Sequence, residues 1–105
     1  MKIVEVTRDH ILFDNGNKIT YDHYQDWCEY NYADFAQLDD LARGHNYNED
    51  LKFEFVKYTG FRFGDDSFMA FVPCYSQQNG YYSSYIDIYY NDREVCSGLC
   101  EEDFD

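Results

Sequence analysis

Apolar and polar residues alternate along the first 21 positions of the chain, a spacing of two that is typical of strands with one buried face. Three short runs show it, namely KIVEV, HILF and KITY. The turn sequence DNGN separates the second run from the third, and both Asn15 and Gly16 tolerate the positive φ of a type I′ hairpin turn. We therefore expect an N-terminal β-hairpin region over residues 2 to 21.

The spacing of apolar residues changes after residue 21. On a helical wheel, one side of the segment collects four apolar residues: Cys28, Phe35, Leu38 and Ala42. Acidic residues project to the other side, and Gly44 supplies a helix stop. The pattern predicts an α-helix over about residues 28 to 43.

Aromatic and β-branched residues dominate residues 52 to 91, in the runs LKFEFVKY, FRFG, SFMAFVPCY and YYSSYIDIYY. Turn residues separate these runs, which favours antiparallel strands joined by hairpins. Pro73 has no amide hydrogen, so its strand is expected to end there, lie at an edge or bulge. The predicted fold class is α+β, with an antiparallel sheet, one main helix packed on it and an acidic tail over residues 94 to 105, all in a single domain.

Charge is unevenly distributed along the chain. Acidic residues number 21 against 8 basic ones, which gives a formal net charge of −13. Residues 22 to 50 contain eight acids with Arg43 as their one base, and residues 94 to 105 contain five acids and no base. Such a surface repels nucleic acid and anionic membranes and attracts basic protein surfaces.

The acidic segments have two interpretations. A run of charge is most often only the solvated face of a helix or a polar tail. The alternative is a surface that mimics DNA and competes for the Lys and Arg groups of a nucleic-acid-binding groove, because an ordinary solvated helix mixes signs and this one does not. The candidate partner-binding residues are the acids Asp26, Glu29, Asp34, Asp39, Asp40, Glu101, Glu102 and Asp103 and the aromatic anchors Trp27, Tyr81 and Tyr82.

Four cysteines and three histidines raise the question of a metal site. The spacing is not that of paired CxxC knuckles, since Cys96 and Cys100 form a single C-x3-C pair. The main expectation is reduced, mostly buried thiols and no cofactor. The alternative is zinc held by Cys28, Cys74, Cys96 and Cys100, or with His23 in place of Cys28.

The sequence contains no P-loop and no GxGxxG motif, and no pattern in it pairs a nucleophilic residue with a general base. We therefore expect a protein that is not an enzyme. A hydrolase or nuclease that uses His23 and neighbouring acids is the remaining catalytic alternative. The chain opens with the mixed charges of MKIVEVTRDH rather than with a secretory signal, and it has no apolar run near the length of a membrane helix.

Three stretches carry a resemblance to known proteins: DNGNKIT, the HYQDWCE run from His23 to Glu29, and CYSQQNGYYSSY from Cys74 to Tyr85. They resemble a family of short acidic proteins of unknown function found in phages and prophages, and the likeness covers about residues 10 to 90. Trp27 stands where that family has the first cysteine of a pair, which weakens the case for an essential metal site.

The resemblance and the acidic surface together imply an anti-defence protein of the anti-CRISPR type. We expect it to act in the cytoplasm of a bacterial host, where it would inhibit a Cas effector such as Cas9 by occupying the basic DNA/RNA channel. Neither nucleic acid nor a membrane would be a direct partner. The alternative is a zinc-stabilised accessory or regulatory module of phage origin; the target, the step inhibited and the oligomeric state are left open.

Overall fold

The computed structural model describes residues 1–22, 30–77 and 85–103, without the side chains of Tyr30, Gln77, Glu102 and Asp103. Nearly all of the regular structure in these residues is β-strand. The strands are β1 Ile3–Val6, β2 His10–Phe13, β3 Lys18–Asp22, β4 Tyr30–Ala33, β5 Lys52–Val56, β6 Gly60–Gly64, β7 Met69–Gln77, β8 Tyr85–Tyr90, β9 Arg93–Leu99 and β10 Glu101–Asp103.

The strands form two sheets of five. The first sheet has the order β1-β2-β3-β8-β9, and every neighbouring pair in it is antiparallel. The second has the order β10-β7-β6-β5, with β4 also paired to β7. Strand β10 runs parallel to β7, and the other pairs of the second sheet are antiparallel.

The N-terminal strands lie where the alternation predicts them, but the predicted type I′ turn at Asn15-Gly16 is wrong. A type I′ turn needs positive φ at both residues, and of these two only Gly16 has it, with a value of 90°. Positive φ at two consecutive residues occurs instead at Asn91 and Asp92, with values of 53° and 66°, in the turn between β8 and β9. That geometry suits a two-residue hairpin because its twist matches that of the flanking strands.

The predicted main helix is wrong, and with it the α+β class. Residues 30 to 33 are strand β4, Phe35–Gln37 is a single 3-10 turn, and the one α-helix of the described chain is α1, Asp40–Gly44. Strand β4 pairs with the second half of β7, so the open edge of β7 supplies hydrogen bonds that override the local helical pattern. The described chain is a two-sheet β protein.

The apolar side chains of the expected helix do reach the core, by a different route. Phe35, Leu38 and Ala42 are all buried, although they lie on a 3-10 turn, a connecting residue and a short helix. Asp39 is the N-cap of α1, and its Oδ1 accepts a hydrogen bond from the backbone N–H of Ala42 at 2.8 Å. A helix face and this folded loop place the same residues on the same side, so periodicity alone did not separate them.

The C-terminal half agrees with one further expectation and corrects another. Pro73 lies inside β7, and residues 69 to 73 of this strand pair with β6 alone among the described strands, so Pro73 lies at an edge, which is one of its three expected placements. Residues 93 to 103, expected to be mostly an acidic tail, form strands β9 and β10. Gly98 lies within β9, where a Cβ would stand 2.2 Å from Cδ1 of Phe55. Its lack of a side chain therefore permits the close approach of β9 to β5.

The core lies between the two sheets and is largely aromatic. Phe13 and Tyr47 meet edge to face, with ring centroids 5.7 Å apart, and Tyr47 also lies 5.5 Å from Phe63. The hydroxyl of Tyr47 donates to the carbonyl of Ala42 at 2.7 Å, so its polar tip is satisfied inside the core. The described residues include no helix long and apolar enough to cross a membrane.

Candidate interaction surface

Acidic side chains gather on the outer face of the first sheet. Asp22 of β3 is the register partner of Asp87 on β8, and Tyr89 of β8 is the partner of Glu94 on β9. Ile86 and Ile88, which alternate with these residues on β8, are fully buried, so Asp87 and Tyr89 point away from the core. We call Asp22, Asp87, Tyr89 and Glu94 the acidic patch.

The carboxylates of the acidic patch are close enough to perturb one another. A hydrogen bond with the Asp87 side chain, the charge of Asp87 and some desolvation raise the pKa of Glu94. The pKa of Tyr89 is also raised, by desolvation and then by the negative charges of Asp87, Asp22 and Glu94. Like charges held together in this way favour binding of a positive group, because such a group relieves their repulsion.

Ion pairs within the described chain do not neutralise the centre of the patch. The four that it contains join Glu5 to His10, Asp65 to His45, Asp66 to Lys52 and Glu54 to Arg62. Asp87 and Glu94 are in none of them. Tyr85, which is 46% exposed and lies two residues before Asp87, adds an aromatic ring at the margin of the patch.

The structure separates the acids that the sequence placed on one helix. Asp39 is occupied as the N-cap of α1, and Asp34 accepts a hydrogen bond from Gln37 Nε2 at 2.8 Å. Asp40 is exposed in the first turn of α1, and Glu101 is exposed on β10 in the second sheet. These candidates do not form one continuous row with the acidic patch.

The side chains of the remaining predicted contact residues are not among those that the structure describes. Strand β10 includes Glu102 and Asp103, although only their backbone is described. The others lie outside the described residues: Asp26, Trp27, Glu29, Tyr81 and Tyr82. Their proposed role in partner binding stays a prediction.

Three of the four cysteines are described, and all three are free thiols. Glu101 of β10 is the register partner of Tyr75 on β7, which brings the preceding residues Cys100 and Cys74 together, both fully buried. The hydrogen bond with Cys100 and burial raise the pKa of Cys74, and burial raises the pKa of Cys96 to about 12. The thiols of Cys74 and Cys96 are therefore protonated at neutral pH and suited to packing.

Metal ligation is not indicated by the described residues, which contain no group of three or more His, Cys, Asp or Glu side chains arranged to hold an ion. Cys28 and His23, the other ligands considered for zinc, lie outside the described residues. The zinc alternative therefore stays a prediction.

His45 and Asp65 form a second polar constellation, away from the acidic patch. His45 Nε2 lies 3.1 Å from Asp65 Oδ2, and the His45 ring centroid lies 5.1 Å from that of Phe68. Asp65 Oδ2 also accepts from the backbone N–H of Asn48 at 3.0 Å, while Oδ1 accepts from Ser67 at 2.9 Å. These contacts tie the loop after α1 to the β6–β7 turn, which is a structural role.

Asp65 gives the fold a dependence on acid pH. The hydrogen bond from Asn48, with those from His45, Ser67 and Phe68, holds the pKa of Asp65 at about 2, below its usual 3.8, although desolvation acts in the opposite direction. As the pH falls from about 4 to about 2, the unfolded chain takes up a proton at Asp65 before the folded chain does, so stability is lost.

We expect Asp65→Asn to flatten the pH dependence of the unfolding free energy between about pH 4 and pH 2, as measured by urea unfolding followed by circular dichroism. Asp66→Asn is the matched control, because Asp66 is exposed and forms only a surface ion pair with Lys52. Equal slopes in the two variants and the parent chain would contradict this role for Asp65.

Sequence reasoning missed the acidic patch for a definable reason. Residues 51 to 93 hold five acids and four bases, so the segment containing Asp87 looked nearly neutral. Asp22, Asp87 and Glu94 are brought together only by the pairing of β3, β8 and β9. The available signal was the outward-facing alternation Tyr85, Asp87, Tyr89, which places polar and aromatic side chains on one face of a strand.

The fold and the patch define a protein of two β-sheets with an acidic and aromatic outer face. The chain belongs to the family described as Domain of unknown function (DUF7448), whose model matches residues 1–88. No curated protein and no solved structure matches the chain.

Proposed function

We propose that this protein is a non-enzymatic binding protein that uses the acidic patch to contact a basic surface on another protein. The observation that supports this most directly is the set of three carboxylates on neighbouring strands around Tyr89, where the side chain of Asp87 raises the pKa of Glu94 and the negative charges repel one another. Lys or Arg side chains of a partner would relieve that repulsion, and Tyr85 and Tyr89 would supply apolar contact area.

Proteins that bind nucleic acid are the partner class with the most suitable surface, because their grooves present Lys and Arg at the spacing of phosphates. The formal net charge of −13 supports attraction to such a groove over long distances. Together with the resemblance to short acidic phage proteins, this supports inhibition of a bacterial defence nuclease, with Cas9 as the first Cas effector to test. The bacterial cytoplasm would be the site of action.

A catalytic role is not part of the proposal. The His45–Asp65 pair resembles part of a catalytic constellation, but the oxygens of Asp65 accept backbone hydrogen bonds from Asn48, Ser67 and Phe68. These bonds give the carboxylate a structural role, which is to hold the β6–β7 turn against the loop after α1. We therefore propose stoichiometric inhibition.

The test is binding of the purified chain to purified Cas9, with and without guide RNA, at low and high salt. We expect Asp87→Lys/Glu94→Lys to weaken binding by about 100-fold, because two attractive contacts become repulsive. Binding of the parent chain should also weaken as salt is raised. The measurement is biolayer interferometry, together with a DNA-cleavage assay at equimolar inhibitor.

The matched control is Asp14→Lys/Asp50→Lys, which makes the same change in net charge at two exposed positions outside the patch. If both double variants lose affinity equally, net charge and not the acidic patch drives binding. If the parent chain binds Cas9 equally well at low and high salt, electrostatic contact is wrong. Absence of any binding to Cas9 in either form rejects that effector as the partner.

A further inference from the structure

A second candidate site is a cavity of about 520 Å³ where the end of β1, the end of β3, strand β4 and the 3-10 turn meet. It is separate from the acidic patch, because Tyr21 points inward from β3 to contact Phe35, with ring centroids 5.7 Å apart, whereas Asp22 is exposed. Its volume is in the range of cavities that bind small molecules.

The described residues that line this cavity carry more positive than negative charge, in an otherwise acidic protein. They include Arg8 and Arg43, two of the eight basic residues in the chain, and one carboxylate, that of Asp34. Arg8 already takes part in another interaction, so the contact with an anionic group is assigned to Arg43. A cationic lining of this kind favours a ligand with an anionic group.

Two backbone carbonyls hold the guanidinium of Arg43. Its Nε donates to the carbonyl of Leu38 at 2.9 Å, and its Nη2 donates to the carbonyl of Ala36 at 3.3 Å. These two bonds use the side-on edge of the guanidinium and fix its plane. The end-on pair, formed by Nη1 and the second N–H of Nη2, makes no hydrogen bond to the described residues, and that pair matches the oxygens of a phosphate or carboxylate.

Aromatic residues supply the other half of the recognition. Tyr21 and Tyr32 line the cavity and are both half-buried, and each ring contacts a second ring, Tyr21 that of Phe35 and Tyr32 that of Tyr75. Aromatic side chains restrained by such contacts lose little entropy when a planar ligand packs against them.

We propose that this cavity binds a small molecule that combines an aromatic ring with one anionic group and is the size of a nucleoside monophosphate. The anionic group would meet the end-on pair of Arg43, and the ring would pack against Tyr21 and Tyr32. Asp34 disfavours polyanions and offers an acceptor for a donor group on the ring.

The test is isothermal titration of the full chain with five probes: the 5′-monophosphates of adenosine and uridine, 4-hydroxybenzoate, inorganic phosphate and adenosine. We expect at least one ring-plus-anion probe to bind at least about tenfold more tightly than inorganic phosphate or adenosine, because neither of these carries both features. Preference for a monophosphate over 4-hydroxybenzoate would identify phosphate as the anionic group, and the reverse preference would identify carboxylate.

Arg43→Gln is expected to weaken the best probe by at least about tenfold, whereas Arg62→Gln, at an exposed position of β6, should leave it unchanged. Because Arg43 also supports the 3-10 turn, Tyr32→Leu provides a second variant that keeps both guanidinium bonds, and the same loss is expected from it. Binding of no ring-plus-anion probe below about 1 mM, or equal affinity in the parent chain and the Tyr32→Leu variant, would overturn the proposal.

Discussion

Gly60→Ala is expected to lower the free energy of unfolding by about 3 kcal/mol, at the upper end of the cost of overpacking. A Cβ at Gly60 would lie 2.1 Å from the carbonyl oxygen of Val72 and 2.7 Å from the Cα of Pro73. Both atoms belong to the backbone of β7, so a side-chain rotation does not relieve the clash. The pairing of β6 with β7 must open, at the point where β7 changes partner. The measurement is urea unfolding followed by circular dichroism.

Gly44→Ala is the matched control for this substitution. Gly44 is the last residue of α1, its φ is not positive, and a Cβ there would meet nothing within 4 Å. Because alanine favours helix more than glycine does, we expect between no change and a gain of about 1 kcal/mol. A similar loss in both variants would mean that the contact between Gly60 and β7 does not limit the packing of the second sheet.

Asn31→Ala is expected to cost about 3 kcal/mol, because it removes two hydrogen bonds of a fully buried side chain. Asn31 is fully buried in β4, and its Nδ2 donates to the carbonyl of Tyr85 on β8 at 3.0 Å. Its Oδ1 accepts a hydrogen bond from the hydroxyl of Ser76 on β7, which is also fully buried. Asn31 therefore joins the second sheet to β8 of the first sheet, and β8 is one of the three strands that carry the acidic patch.

A double-mutant cycle separates the energy of the hydrogen bond between Asn31 and Ser76 from the cost of losing side-chain volume. Because the Asn31→Ala chain lacks the hydrogen bond from the Ser76 hydroxyl to Asn31 Oδ1, Ser76→Ala should cost less there than in the parent chain, with a coupling of about 1 kcal/mol. Asn46→Ala, at an exposed asparagine, is the control and should change stability by no more than about 0.5 kcal/mol. Additive effects of Asn31→Ala and Ser76→Ala would show that the two side chains act independently.

Much of the strand content follows from the sequence, for a local reason. Alternation with a period of two directs neighbouring side chains to opposite faces, and it correctly located the regions of β1 to β3 and of β5 to β8. Composition likewise pointed to an aromatic core, and Phe13, Phe35, Phe61 and Phe63 are buried there. Neither feature depends on which strands become neighbours.

The sequence alone failed where a segment's conformation depends on a distant partner. Residues 30 to 33 fit a helical wheel with the residues that follow them, but they become strand because β7 offers them an open edge. The C-terminal acids likewise become strand β10 by pairing with the same end of β7. One long strand therefore decided two elements that local patterns assigned differently.

The charge and the core follow from the sequence, whereas the two candidate sites follow from the tertiary structure. The sequence by itself determined that this protein carries a large negative charge, that its core is aromatic and that residues 2 to 21 and 52 to 91 contain strands, since these properties need only composition and local spacing. Tertiary structure alone decided that Asp22, Asp87 and Glu94 surround Tyr89, and that Arg8 and Arg43 line one cavity. The physical reason is that strand pairing joins residues far apart in the chain, and the net charge of a segment does not depend on which segments pair.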